Sequence, residues 1–81
     1  MFENTFDTVR NAFVDHLGID PEIITLESLI LDDLGADSLD AVELIMTLEE
    51  LFDISIDEVG IEDLLTIGDV VRVIDELVSL K

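Results

Sequence analysis

Apolar residues recur three and four positions apart in three separate segments of this chain, and that period commits it to packed helices. Phe2, Phe6, Val9, Phe13 and Leu17 step by four, three, four and four, which sets them on one face of a helix over residues 3 to 16. Ala41, Leu44, Ile45, Leu48 and Phe52 form the inner stripe of a second helix running from Asp37-Ser38 to Leu51 or Phe52. Ile67, Val70, Val71, Ile74, Leu77 and Val78 do the same for a last helix that stops near residue 79. Strand-like alternation appears nowhere over a useful length. At 81 residues the chain reads as one domain, 1–81, able to bury only about 60–65% of its unfolded surface. It has no cysteine, so neither disulfides nor a thiolate metal site can supplement the core.

Local signals mark the helix ends. Gly18 follows the first stripe as a C′ residue. Asp37 is suited to cap the second helix, and Asp40 adds negative charge to its first turn. Thr66, with Asp69 three residues on, has the form of a capping box. Ser55 or Asp57 can cap a short third helix over 57 to 64, in which Gly60 is a weak point. From Gly18 to Ala36 there are turn signals such as Asp20-Pro21. Yet Ile23, Ile24, Leu26, Leu29, Ile30, Leu31 and Leu34 make this stretch too apolar for a solvated loop, so a long connection pinned to the core is expected. The fold expected is all-α: a small four-helix bundle of three longer helices and one short one, with a long first loop.

Charge narrows the partners. Twenty-one acidic residues against three basic ones give a formal net charge of −18, which disfavours nucleic acid and anionic membranes and favours basic proteins. The 49% apolar content, arranged at helical spacing, argues for a folded body rather than disorder. Met1-Phe2-Glu3-Asn4 lacks the basic start of a signal peptide, and no apolar stretch approaches the ~20 residues that span a bilayer. A monomeric cytoplasmic protein without stable membrane insertion is the expectation.

The second helix has two faces. Opposite its core stripe lie Leu39, Val42, Glu43, Met46 and Glu50, with Glu49 on the flank. Single exposed apolar residues are ordinary on any surface. Alternated with carboxylates they also make a docking face, in which apolar knobs give desolvated contact and the acids select Arg and Lys.

Residues 33 to 53 read Asp33-Leu34-Gly35-Ala36-Asp37-Ser38-Leu39-Asp40, then Ala41-Val42-Glu43-Leu44-Ile45-Met46, then Thr47-Leu48-Glu49-Glu50-Leu51-Phe52-Asp53. This run closely resembles the acyl carrier proteins of fatty acid synthesis, whose hallmark is Asp-Ser-Leu opening the second helix after Leu-Gly. Weaker similarity extends over nearly the whole chain. A lone serine before a helix is normally just a cap. Within this motif the resemblance implies that a phosphopantetheinyl transferase, using coenzyme A, attaches 4′-phosphopantetheine to Ser38, and that the arm's thiol carries the acyl group.

The position suits that chemistry, because a phosphodiester there would sit near unpaired amides at the positive end of the helix. Gly35 would allow a close turn before the helix, and by family inference Asp37 would also help to position the transferase's metal. The resemblance further implies an acyl pocket lined by Leu44, Leu48, Ile56, Ile61, Leu64 and Ile74, small or collapsed without cargo. Partners would be acyl-synthesis and acyl-transfer enzymes with basic patches. Leu51, where the pattern usually has glutamate, and Ile30, where it commonly has phenylalanine, depart from the family and leave open a dedicated carrier for a specialised acyl or polyketide pathway.

Readings from other classes fit less well. Ser38 has no general base in view, since the only histidine, His16, lies at the end of the first helix as a last-turn cation or a solvated residue, and no Gly-x-Ser-x-Gly elbow is present. No enzyme and no metal site is expected. A calcium loop starting at Asp32 fails on spacing, because Leu34 and Ala36 fall where oxygen ligands belong. An acidic module with weak cation binding, or one that acts through charge alone, explains −18 but not the Asp-Ser-Leu motif.

Overall fold

The structure, a computed structural model, describes residues 5–56 and 64–80. Among them are three α-helices, α1 (Thr5–Leu17), α2 (Ser38–Phe52) and α3 (Ile67–Ser79), with a single 3₁₀ turn at Pro21–Ile23. No strand occurs among the described residues, only an isolated antiparallel bridge between Leu29 and Thr66. The expected short third helix over 57 to 64, with Gly60 and Ile61, falls almost wholly outside the described residues, as does Phe2.

α1 packs against both α2 and α3. The helical stripes supply the core: Val9 and Phe13 from α1, Leu44 and Leu48 from α2, and Ile67, Val70 and Ile74 from α3 are all nearly sealed from solvent. Ala41, Ile45 and Phe52, also on the predicted inner stripe of α2, are half-buried at the margin of this cluster. The α1 boundary shifts slightly from expectation, because Gly18, at φ 69°, donates its amide to the Val14 carbonyl and closes the helix after Leu17.

The long connection is only partly pinned. Ile24, Ile30 and Leu34 enter the core, but Ile23, Leu26, Leu29 and Leu31 remain exposed. Its internal frame is polar: the buried Ser28 Oγ accepts the Thr25 amide at 2.9 Å and donates to the Ile23 carbonyl at 3.2 Å. The loop therefore keeps apolar side chains on its outer side, next to the start of α2.

Both expected caps form. Asp37 and Thr66 accept the amides of Asp40 and Asp69, and the Asp40 and Asp69 carboxylates return the bond to the cap amides. Each box satisfies two donors that a helix start leaves unpaired. Asp53, in the left-handed region at φ 56°, ends α2.

Candidate functional site

The start of α2 is held from both sides. Gly35 sits at φ 74°, a conformation that an L side chain adopts only under strain, and the Ala36 amide donates back to the Ile30 carbonyl at 3.2 Å. Asp37 is extended, and its Oδ1 accepts the Asp40 amide at 2.8 Å while Asp40 Oδ2 accepts the Asp37 amide at 3.3 Å. Ser38 is thereby fixed as the first helical residue, exposed to solvent, with no hydrogen-bond partner for its hydroxyl among the described residues.

Beside Ser38 lies an apolar groove of about 690 Å³. Its walls are Leu29, Ile30 and Leu31 from the loop, Ala41 and Val42 from α2, and Leu64 and Leu65 ahead of α3, with Asp32 and Ser38 as its polar members. The groove exists because the loop leaves Leu29 and Leu31 facing outward. It matches the usual makeup of a small-molecule site, mostly apolar with few polar groups, and sets an apolar, low-dielectric surface beside Ser38.

Of the six residues expected to line an acyl pocket, four sit away from this groove. Leu44, Leu48, Ile56 and Ile74 are packed in the core at 2% exposure or less. Leu64 is buried as well and is the one residue of the six that also borders the groove. Ile61 lies outside the described residues. The loop leucines were not legible as lining residues; the only signal was their excess apolarity.

On the outer face of α2, Leu39, Val42 and Met46 are exposed at 66%, 38% and 56%, alongside the exposed carboxylates of Glu43 and Glu50. Glu49 differs from expectation, since its Oε2 accepts the Ile56 amide at 2.7 Å and ties down the chain beyond α2. His16 is also not simply solvated: its Nε2 lies 3.3 Å from Asp40 Oδ1 and 3.3 Å from Glu43 Oε1, linking the end of α1 to the start of α2. Twenty-four residues separate His16 from Asp40, so no sequence spacing signalled the contact.

A small helical domain that presents an exposed serine at a helix start, next to an apolar groove, has the form of a carrier scaffold. The chain matches the family described as phosphopantetheine attachment site over residues 7–74. It is 51% identical over 72 residues to the acyl carrier protein of Campylobacter curvus, covering 89% of this chain and 94% of that one. To the acyl carrier protein of Campylobacter jejuni strain RM1221 it is 53% identical over 73 residues, covering 90% and 95%. Among solved structures it resembles the apo doublet acyl carrier protein from prodigiosin biosynthesis, with a TM-score of 0.77 and 26% identity over 89% of this chain; it spans 35% of that longer protein.

The chain belongs to the phosphopantetheine-attachment family of acyl carrier proteins. It carries acyl groups on a covalent 4′-phosphopantetheine, and it is a carrier rather than a catalyst. As for the family generally, its partners are a phosphopantetheinyl transferase and acyl-handling enzymes. No helix among the described residues is long and apolar enough to cross a membrane.

Proposed function

We propose that Ser38 is the attachment point, and that residues 1–81 act as one acyl carrier domain serving fatty acid synthesis. The observation that carries this reading is the exposed Ser38 hydroxyl at the first helical position of α2, beside an apolar groove. When bound, the arm supplies a terminal thiol on which an acyl group is held as a thioester. The chain's own residues then do three things. The reciprocal Asp37 and Asp40 bonds keep the helix start formed, so that its amides face the phosphodiester. Leu29, Leu31 and Val42 offer the arm an apolar wall, against which each buried methylene is worth about 0.8 kcal/mol. Leu39, Val42 and Met46 meet the partner, while Glu43 and Glu50 attract its basic residues; Glu49, half committed to Ile56, plays the smaller part.

In the same reading Leu44, Leu48, Ile56, Ile61, Leu64 and Ile74 form a core that opens to longer acyl chains, with the groove as the way in. The short helix over 57 to 64, a monomeric state and a cytoplasmic location belong to this proposal too. A dedicated carrier for another acyl or polyketide pathway is the second reading, favoured by Leu51, which is 58% exposed where a glutamate is usual.

Incubation with coenzyme A and a promiscuous phosphopantetheinyl transferase, followed by intact-mass measurement, tests the attachment. One phosphopantetheine increment on the parent and none on Ser38→Ala is the expected result. An increment that persists in Ser38→Ala would assign the arm to another residue. Loading and elongation by fatty acid synthesis enzymes separates the two pathway readings.

A further inference from the structure

Both arginines are engaged within their own helices, Arg10 with Asp7 at 3.1 Å and Arg72 with Asp69 at 2.9 Å. Among the described residues this leaves His16 as the one basic side chain paired with the carboxylates of α2. We propose that His16, Asp40 and Glu43 form a binding site for one divalent transition-metal ion, zinc above all, at the junction of α1 and α2.

The geometry is that of a nearly assembled ligand set. His16 Nε2 stands 3.3 Å from Asp40 Oδ1 and 3.3 Å from Glu43 Oε1, and all three atoms lie within 4.8 Å of one another. Tetrahedral zinc with bonds of about 2.0–2.1 Å has ligand-to-ligand edges of about 3.3–3.4 Å. Two of the three edges are therefore in place, and the third, within 4.8 Å, needs Glu43, whose side chain is 53% exposed, to close on Asp40. One ligand is already held in orientation: Asp40 Oδ2 accepts the Asp37 amide while Oδ1 faces His16. A supporting bond of this kind is what keeps a metal ligand aimed.

Chemistry selects the ion. One imidazole nitrogen with two carboxylates suits zinc and its transition-metal neighbours, whereas magnesium and calcium prefer all-oxygen shells. Two carboxylates balance a 2+ charge, and a net charge of −18 raises the local cation concentration. The side chains are partly exposed, so the ion has a path in. Asp40 lies two residues after Ser38, and Glu43 belongs to the proposed docking face. On that reading, a bound ion would remove two of the negative charges that a basic partner meets.

An ion pair to protonated His16 gives the same two distances, and calorimetry separates the two cases. The full chain, with any pantetheine thiol alkylated so that it cannot ligate, is titrated with zinc in millimolar magnesium, which occupies unselective carboxylate sites. The expected result is one zinc per chain, a shift of the His16 imidazole nitrogen signals, and more than about tenfold weaker binding in His16→Gln and Glu43→Gln, with helix content in the absence of zinc unchanged. Zinc displaced by magnesium, His16 signals that do not move, or undiminished affinity in His16→Gln would each overturn the site. All three readouts are independent of whether Ser38 is the attachment residue.

Discussion

The amide of Gly68, in the first turn of α3, donates to the carbonyl of Leu26 across 2.8 Å, so the long loop helps to cap the last helix. The neighbouring Ile67 amide donates to Ser28 at 3.1 Å, and the Ile30 amide donates to Leu65 at 3.0 Å. These bonds, more than burial of its leucines, hold the loop in register and set the far wall of the groove beside Ser38.

Close approach here demands the absence of a side chain. A Cβ on Gly68 would lie 3.0 Å from the Leu26 carbonyl oxygen. Gly68→Val is expected to cost about 1–3 kcal/mol through this overpacking, measured by urea unfolding. A neutral effect would mean that the loop yields without loss.

The caps predict an acid limb. Asp69 is held below its ordinary pKa of 3.8, first by the Thr66 amide, against a desolvation that raises it, and then by the Leu65 amide and Arg72. A depressed carboxylate stabilises the fold above its unfolded value and loses that contribution as pH falls through the folded value. Asp69→Asn should therefore be less stable than the parent at neutral pH, and the two stability curves should converge below 3.8. Thr66→Ala, which removes the reciprocal bond, should cost about 1 kcal/mol by thermal or urea unfolding.

Leu48 has no exposed surface and Leu44 has 1%. Leu48→Ala is expected to lose about 2–5 kcal/mol, a large share of the roughly 4–12 kcal/mol available to a chain of this length. Met46→Ala, on the exposed face of the same helix, should change unfolding free energy by less than about 0.5 kcal/mol while weakening partner docking. Urea unfolding and a binding titration together read this split.

The carboxylates predict a salt effect. With 21 acidic residues against three basic ones, self-repulsion weakens the folded state at neutral pH and low ionic strength. Millimolar magnesium should raise Tm, and sodium chloride at matched ionic strength should raise it less. A Tm unchanged by either salt would remove repulsion as a limiting term.

Much of this protein is determined within a few residues of chain. The stripes of α1, α2 and α3, the caps at Asp37 and Thr66, the stop at Gly18 and the motif around Ser38 all follow from local periodicity and backbone chemistry, which sequence carries directly. Only the tertiary structure decided which loop apolars are buried, since Ile30 and Leu31 are adjacent and equally apolar and both border the groove, yet Ile30 is buried in the core and Leu31 stays half exposed. It also turned Glu49 toward the Ile56 amide and brought His16 against Asp40 and Glu43. Such contacts depend on how helices far apart in the chain are rotated and spaced against each other. That is set by the packing of the whole core, and no local pattern encodes it.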